Sequence, residues 1–438
     1  MQQRFGFRSV VALAIALFLA LSFAFVTPDG VLAMASRQRL PHPGFRAVSI
    51  WHPSDRVRMD FAVWYPSPRF PRDVILDGWS IHVSKDSVAS LGRYPIILIS
   101  HDTASCRLAS HDLAANLARQ GFVVVAPTHP GDSVNDTRAL FTAQTFFQRP
   151  QHLLLALKSL AEHNFFAPII DVRRIGILGV GAGAITALQM AGAAPDLSLL
   201  PNHCPESFVL DPLCTNWARK HHDAMRASFA ALTAQNGISR LTPELATLFW
   251  QASSATTIAP PPAKETATEA TTEQPQKNEH PKEEDASLLR ALAPGILENY
   301  VPEPALLAVG LLTPGGINMF PNDAIKNVAV PVGILSVHDD AVYPHETSGK
   351  RLQDLLPQRP SSRMLHNATH FDVQAPCPPI YLDTFPALCG PQGDDPIDSR
   401  TLRNEFFTRF FEKYLGEPLP PPVTTEEDKE TKKIPARH

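Results

Sequence analysis

Short, continuous apolar runs alternate along the chain with segments whose apolar positions recur every three to four residues. Residues 94–100, 122–127 and 175–178 are uninterrupted apolar runs, the pattern of strands covered on both faces. Residues 45–51 and 59–65 come before them and predict an antiparallel pair, and 306–311, 330–336 and 362–366 follow as further strands. Residues 109–120, 146–163 and 184–191 predict helices, the first closed by Gly121. In the segment 401–415, Leu402, Phe406, Phe410 and Tyr414 stand four apart and predict one apolar helix face. Strand–helix alternation with short connections predicts an α/β fold: a mostly parallel central sheet with helices on both faces. Residues 215–251, with Trp217, Phe229, Leu232, Leu241 and Phe249, read as a helical cap inserted above the sheet edge and interrupting the core between its parts at 44–214 and 288–415.

Three segments break the pattern. Residues 252–287 are Ala, Thr, Pro, Glu and Lys with no aromatic side chain, too little apolar surface to offset the entropy of ordering, and predict a disordered linker. Residues 416–438, Pro-rich and then charged, predict a disordered tail. Residues 1–35 carry Arg4 and Arg8, an apolar run from Val10 to Val26 broken only by Ser22, a helix-breaking Thr27-Pro28-Asp29-Gly30 and a small-x-small Ala33-Met34-Ala35. That is the anatomy of a signal peptide cleaved after Ala35, and it predicts a periplasmic or secreted protein that meets a membrane only through an uncleaved leader.

Composition narrows the function classes. The 438 residues are 44% hydrophobic and 19% charged with a formal net charge of −4, enough apolar material for a sizeable core and no basic excess for nucleic acid. Proline, at 42 residues, is about twice its usual ~5% and gathers in the linker, the tail and loops. In an oxidising compartment the close pairs Cys204/Cys214 and Cys377/Cys389 are candidate disulfides, which leaves Cys106 over. No pair has C-x-x-C spacing, and no metal site is expected.

The most informative stretch is Gly179-Val180-Gly181-Ala182-Gly183-Ala184, which runs from a buried strand into a helix. Gly179, Gly181 and Ala184 fit the G-x-G-x-x-A of a dinucleotide turn, but several strands precede the turn, and the nearest acid, Asp196, closes no strand. Gly179 and Gly183 fit the outer positions of the G-x-S-x-G nucleophile elbow, with Gly181 where the serine would stand. Tight helix-on-strand packing without a ligand is a third reading. Downstream, Asp340 follows a strand and precedes Val342 and Pro344, and His370 lies in the next loop but one. The order elbow, acid, histidine is that of a hydrolase triad.

These motifs resemble the predicted dienelactone hydrolases, close to platelet-activating-factor-acetylhydrolase-like esterases. The resemblance spans most of residues 44–415 apart from the linker. It rests on Val63-Trp64-Tyr65-Pro66, Ser100-His101, Ala126-Pro127-Thr128-His129-Pro130-Gly131, the glycine elbow, Asp340-x-Val342-x-Pro344, and His370-Phe371 followed by Cys377. It implies an α/β-hydrolase fold that cleaves esters or lactones through a Ser-Asp-His triad without cofactor, with Asp340 as acid and His370 as base. Two departures stand out. Gly181 replaces the serine, and the oxyanion loop, usually Ser-His-Gly-x-Gly-Gly, reads Ser100-His101-Asp102-Thr103-Ala104-Ser105. The N–H groups of that loop and of Ala182 still suit an oxyanion hole, but an ionised Asp102 repels an oxyanion. The expectation is a catalytically degenerate hydrolase whose pocket takes a small ester-like or lipid-like ligand, or one that serves a partner. The alternative is an active esterase whose nucleophile has moved to Ser105 or Cys106.

Overall fold

The computed structural model describes residues 40–52, 57–204, 211–236, 306–384, 389–390, 393 and 396–418. The expected leader, the linker, the cap beyond residue 236 and the tail beyond 418 lie outside the described residues. The strands are β1 (His42–His52), β2 (Val57–Ser67), β3 (Arg72–Leu76), β4 (Trp79–Lys85), β5 (Tyr94–Ser100), β6 (Val123–Pro127), β7 (Ile170–Val180), β8 (Leu306–Leu312), β9 (Val332–Val337) and β10 (Ser361–Leu365). They form one sheet in the order β10-β9-β8-β7-β5-β6-β2-β1-β4-β3. From β10 to β6 every pairing is parallel, and β2 then runs antiparallel to both β6 and β1. The strand order reverses around β5, which lies between β6 and β7, and the C-terminal ends beside such a reversal are where α/β sheets place their sites.

Both faces are covered because strand side chains alternate. Ile96 and Leu98 of β5, Val123 and Val125 of β6, and Val332 and Ile334 of β9 enter one apolar layer. Their neighbours Ile97, Ile99, Val124, Ala126, Leu335 and Val337 enter the other. The second layer holds Leu113 and Leu117 of α1 (His111–Arg119). The first holds Leu153 and Leu157 of α2 (Gln144–Glu162), and Ala184, Ala187 and Leu188 of α3 (Gly183–Met190), a helix buried at every position. Within the segment expected as a cap lie α4 (Asn216–Arg219) and α5 (His222–Asn236), and the Phe229 ring of α5 packs on Phe146 and Phe147 of α2. The helix α6 (Gly349–Leu355) follows β9, and α7 (Pro396–Leu415) closes the second layer.

Two details differ from the sequence reading. The hairpin β3–β4 was not expected, although Asp77-Gly78 between alternating residues is a hairpin signature, and both turn residues have positive φ, 48° and 82°. The buried face of α7 is turned by one residue: Arg403, Phe407, Phe410, Phe411 and Leu415 face the sheet, while Leu402, Phe406 and Tyr414 flank them partly buried. Arg403 takes a core position because its guanidinium donates to the Val373 carbonyl (2.8 Å) and to Asp112 Oδ2 (2.8 Å).

Candidate active site

Strand β7 ends at Val180, and the chain turns through Gly181 and Ala182 into α3. Gly181 has φ +53°, the left-handed region, and its N–H donates to the Leu312 carbonyl at 3.0 Å. The flanking glycines have steric reasons. A Cβ at Gly179 would lie 2.5 Å from the Gly183 carbonyl oxygen, and one at Gly183 would collide with the Ser100 carbonyl of β5. Helix α3 therefore crosses tightly over the ends of β5 and β7 in the sharp strand–turn–helix of a nucleophile elbow.

A carboxylate occupies the place above Gly181. Asp102 leaves the end of β5, and a Cβ built on Gly181 would fall inside its carboxyl group, overlapping Cγ and both oxygens. Its Oδ1 accepts from the Ala182 N–H (2.8 Å), the Thr103 N–H (2.7 Å) and the Tyr343 hydroxyl (2.8 Å). The two amides, one after the elbow position and one from the loop after β5, are the pair that forms a hydrolase oxyanion hole. Sequence reasoning expected Asp102 to repel an oxyanion; the structure seats Asp102 in the hole itself.

Asp340 follows β9, and its Oδ1 accepts the Val342 and Tyr343 N–H groups at 2.9 and 2.8 Å, which turns Oδ2 toward His370 Nδ1 at 3.1 Å. His370, 4% exposed, follows β10 and reaches Asp102 Oδ2 with Nε2 at 3.4 Å. The ring thus lies between two carboxylates. Burial works against its charge, but Asp340, followed by the hydrogen bonds to Asp102 and Asp340, outweighs this and raises its pKa to about 10. Burial likewise pushes the Asp102 carboxyl up, and its hydrogen bond with His370, the charge of that ring and the two amide donors bring it below the usual carboxylate value. Burial and the Asp102 charge push the Tyr343 phenol well above its ordinary range, so it stays a donor. The resting site is an imidazolium flanked by two anions, and such a ring has no lone pair with which to accept a proton.

A buried frame that sequence reasoning missed supports Asp102. Arg149 of α2 donates to Asp132 Oδ2 (2.9 Å) and to the carbonyls of His101 (2.8 Å) and Asp102 (3.2 Å), while Asp132 Oδ1 accepts the Ala104 N–H at 2.8 Å. His101 Nδ1 lies 2.7 Å from the Asp102 carbonyl, and its Nε2 accepts the His129 N–H at 3.0 Å. Burial and then the Arg149 charge lower its pKa to about 4, so it is neutral. The signal for Arg149 in the sequence is that no other Lys, Arg, Asp or Glu occurs in the first half of α2, next to Pro150.

Gly181, Asp340, His370, Asp102, Thr103 and Ala182 converge, and Gly179 and Gly183 shape the turn. Ser105 and Cys106 do not join them: the partners of His370 are Asp102 and Asp340, and burial pushes the Cys106 thiol up to about 11. Beside Thr103 and Ala182 opens a small pocket of about 40 Å³, lined on one side by Leu140, Phe141, Phe146, Ile185 and Leu213 and on the other by Asp132, Thr145, Arg149 and Thr186. It also holds Gln189. Pro150 has no N–H for the Phe146 carbonyl, four residues earlier in α2, and Gln189 Nε2 donates to it instead at 2.9 Å, which leaves the buried Gln189 Oε1 without a partner among the described residues. His203, Cys204 and Cys214 lie within metal-ligand distance of one another, but the two sulfurs are joined in a disulfide and offer no thiolate.

Neither a family model nor a curated protein sequence matches the chain. Among solved structures it is similar to a ferulic acid esterase from Streptomyces cinnamoneus, at TM-score 0.46 and 13% identity over 90% of this chain and 96% of that one. It is similar also to an acylaminoacyl peptidase from Pyrococcus horikoshii, at TM-score 0.42 and 13% identity over 92% of this chain and 46% of that one. The large, mostly parallel sheet, the elbow after β7, and an acid and a histidine after β9 and β10 are together an α/β-hydrolase fold.

Proposed function

We propose that this chain is an exported protein of carboxylic-ester or lactone hydrolase descent, related to the dienelactone hydrolases, that has lost serine ester hydrolysis and kept a small-ligand pocket. The observation that carries the reading is the Asp102 carboxylate lying where a side chain at position 181 would go, with Oδ1 on the Ala182 and Thr103 amides. Ester hydrolysis needs a nucleophile, a free base and an empty oxyanion hole. Here Gly181 offers no nucleophile, and one carboxylate both fills the hole and helps hold the proton on His370. Removing a triad nucleophile leaves roughly 10³–10⁴ over water, and much of that residue comes from the hole. With the hole filled, about 10²–10³ more per donor is forfeited.

The ligand side has its own support. The pocket wall is half apolar, with Leu140, Phe141, Phe146, Ile185 and Leu213, and Gln189 Oε1 among its residues has no hydrogen-bond partner among the described residues, a combination that supports a small ester-like molecule or the end of a lipid-like one with a polar donor. Export is supported by the leader-like residues 1–35 and by the Cys204–Cys214 and Cys377–Cys389 disulfides. The test is p-nitrophenyl butyrate hydrolysis by the wild type, Gly181→Ser, Asp102→Gly and the double variant. The wild type and both single variants should stay at background. A serine introduced opposite Gly181's neighbour Asp102 collides with the carboxylate, and deleting that carboxylate by itself supplies no nucleophile. The double variant should rise by ~10²-fold or more. Wild-type turnover that His370→Gln abolishes would sink the proposal.

A further inference from the structure

We infer that the cleft between the loop after β5, the loop after β6 and the β3–β4 turn is a second binding site, and that its ligand is an uncharged polyhydroxylated molecule, a pyranose unit above all. The inference does not depend on the fate of ester hydrolysis. The cleft measures about 170 Å³, against about 40 Å³ beside the elbow. The same two loops serve both. The first gives Thr103 to the elbow pocket and Cys106 and Arg107 to the cleft, and the second gives Asp132 and Leu140 to the one and Ser133, Asn135 and Asp136 to the other. Arg58 and Asp60 near the start of β2, Asp77 of the hairpin turn and Tyr381 of the helical turn Pro379–Thr384 also line it. The walls are fixed to one another: the Arg107 N–H donates to Thr128 Oγ1 at 3.1 Å, the Val134 N–H to the Ser105 carbonyl at 3.0 Å, and the Tyr381 hydroxyl to the Asp77 carbonyl at 3.1 Å. A cleft held in shape before its ligand arrives spends little entropy on binding.

The lining selects the ligand by charge and by hydrogen-bond capacity. Its charges are already paired. The Arg107 guanidinium, 12% exposed, lies 2.6 Å from Asp77 Oδ2 and 3.4 Å from Asp60 Oδ2, Arg58 Nε donates to Asp60 Oδ1 at 2.9 Å, and Arg138 pairs with Asp136 at 3.3 Å. Burial pushes the Asp60 carboxyl up, but the hydrogen bonds from Ser49 and Arg58 and the Arg107 charge bring it below its ordinary value, so it stays an anion. An anionic ligand would meet the carboxylates of Asp60, Asp77 and Asp136, and a cationic one the guanidiniums of Arg58 and Arg107, so a net charge of either sign is opposed. What the wall leaves to a ligand is donors beside acceptors. The oxygen of the Thr128 hydroxyl already accepts from Arg107, and its O–H is left to donate. Arg58 Nη1, Asp77 Oδ1 and the amide of the exposed Asn135 have no hydrogen-bond partner among the described residues: a donor, an acceptor and a group that is both. A hydroxyl likewise donates and accepts, and a ring that carries several matches such a mixed wall. Pro130, Val134 and Tyr381 supply apolar surface for the C–H faces of that ring.

The test is saturation-transfer-difference NMR on the full chain with methyl β-D-glucopyranoside, methyl β-D-xylopyranoside, propionate and methylguanidinium. Saturation should reach the ring protons of at least one glycoside and neither charged probe. Asn135→Ala, a change at an exposed side chain, and Tyr381→Ala should each weaken that glycoside by ~3-fold or more in a titration. Cys106, the free thiol among the described residues and part of the cleft wall, locates the ligand without any variant. Burial raises its pKa to about 11, so its alkylation by iodoacetamide is followed at alkaline pH, and the bound glycoside should slow it. No saturation of either glycoside, saturation of a charged probe in their place, a glycoside signal unchanged in both variants, or alkylation equally fast with and without the glycoside overturns the inference. Wild-type turnover of p-nitrophenyl butyrate would sink the reading of lost ester hydrolysis and leave this one standing.

Discussion

At the residue scale the site turns on one atom group in an unexpected place. Gly181 and Asp102 explain each other: without a side chain at 181, the Asp102 carboxylate can enter, and once there it finds two amides, a phenol and an imidazolium. This is why Gly181→Ser is not a simple restoration. The new side chain would overlap a carboxylate fixed by three donors on Oδ1, and only removal of Asp102 frees its place. Gly181, Asp340 and His370 were legible in the sequence because strand ends, chain order and motif spacing mark them. The seat of Asp102 was not legible, because Asp102 meets Ala182 across 80 positions and Tyr343 across 241, contacts that exist only once the sheet is assembled. Tyr343 sits inside a motif that was read, and its role appears only from its hydroxyl.

At the element scale, helix α7 and the strands beneath it show how the sheet is fitted to its cover. Gly176 of β7, Gly310 of β8 and Gly333 of β9 leave room for three phenylalanines of α7: Phe411 lies over Gly176, Phe407 and Phe411 over Gly310, and Phe410 over Gly333. A Cβ at Gly176 would stand 2.7 Å from Phe411, and one at Gly333 2.8 Å from Phe410. Large side chains over small strand positions close the layer, and Phe411 is fully buried. Phe411→Ala should therefore cost ~3–5 kcal/mol in unfolding by denaturant; a loss below ~1 kcal/mol would show that the layer closes without it. The strands of this region were readable as apolar runs. The register of α7 was not, because period alone cannot distinguish the stripe through Arg403 from the one through Leu402 when a buried arginine has partners that lie far away in sequence.

At the scale of the whole molecule, the two carboxylates and the ring make stability depend on pH in a defined sense. The His370 pKa is raised from 6.5 to about 10, so its contribution is fully present below about 6.5 and is lost as pH rises through about 10. The Asp102 pKa is lowered from 3.8, so its contribution is present above that value and is lost as pH falls through the depressed one. Wild-type unfolding free energy should thus fall between pH 7 and 10 more steeply than that of Asp102→Asn, which lacks one partner of the ring. Equal slopes in denaturant titrations would contradict this. The large parallel sheet and the hydrolase order of its motifs were visible from the sequence, because the core strands are apolar on both faces and each motif follows a strand. The electrostatic lock at its C-terminal edge was hidden, because it joins loops after β5, β7, β9 and β10. The most direct measurement of the central claim is the ring of His370 itself, by nitrogen-15 NMR of the histidine-labelled chain, assigned by difference from His370→Gln. At pH 8 both ring nitrogens should carry protons, and in Asp102→Asn the titration should move down from about 10. A neutral imidazole at pH 8 in the wild type would mean a free base, and the account of a filled and silenced ester-hydrolysis site would be wrong.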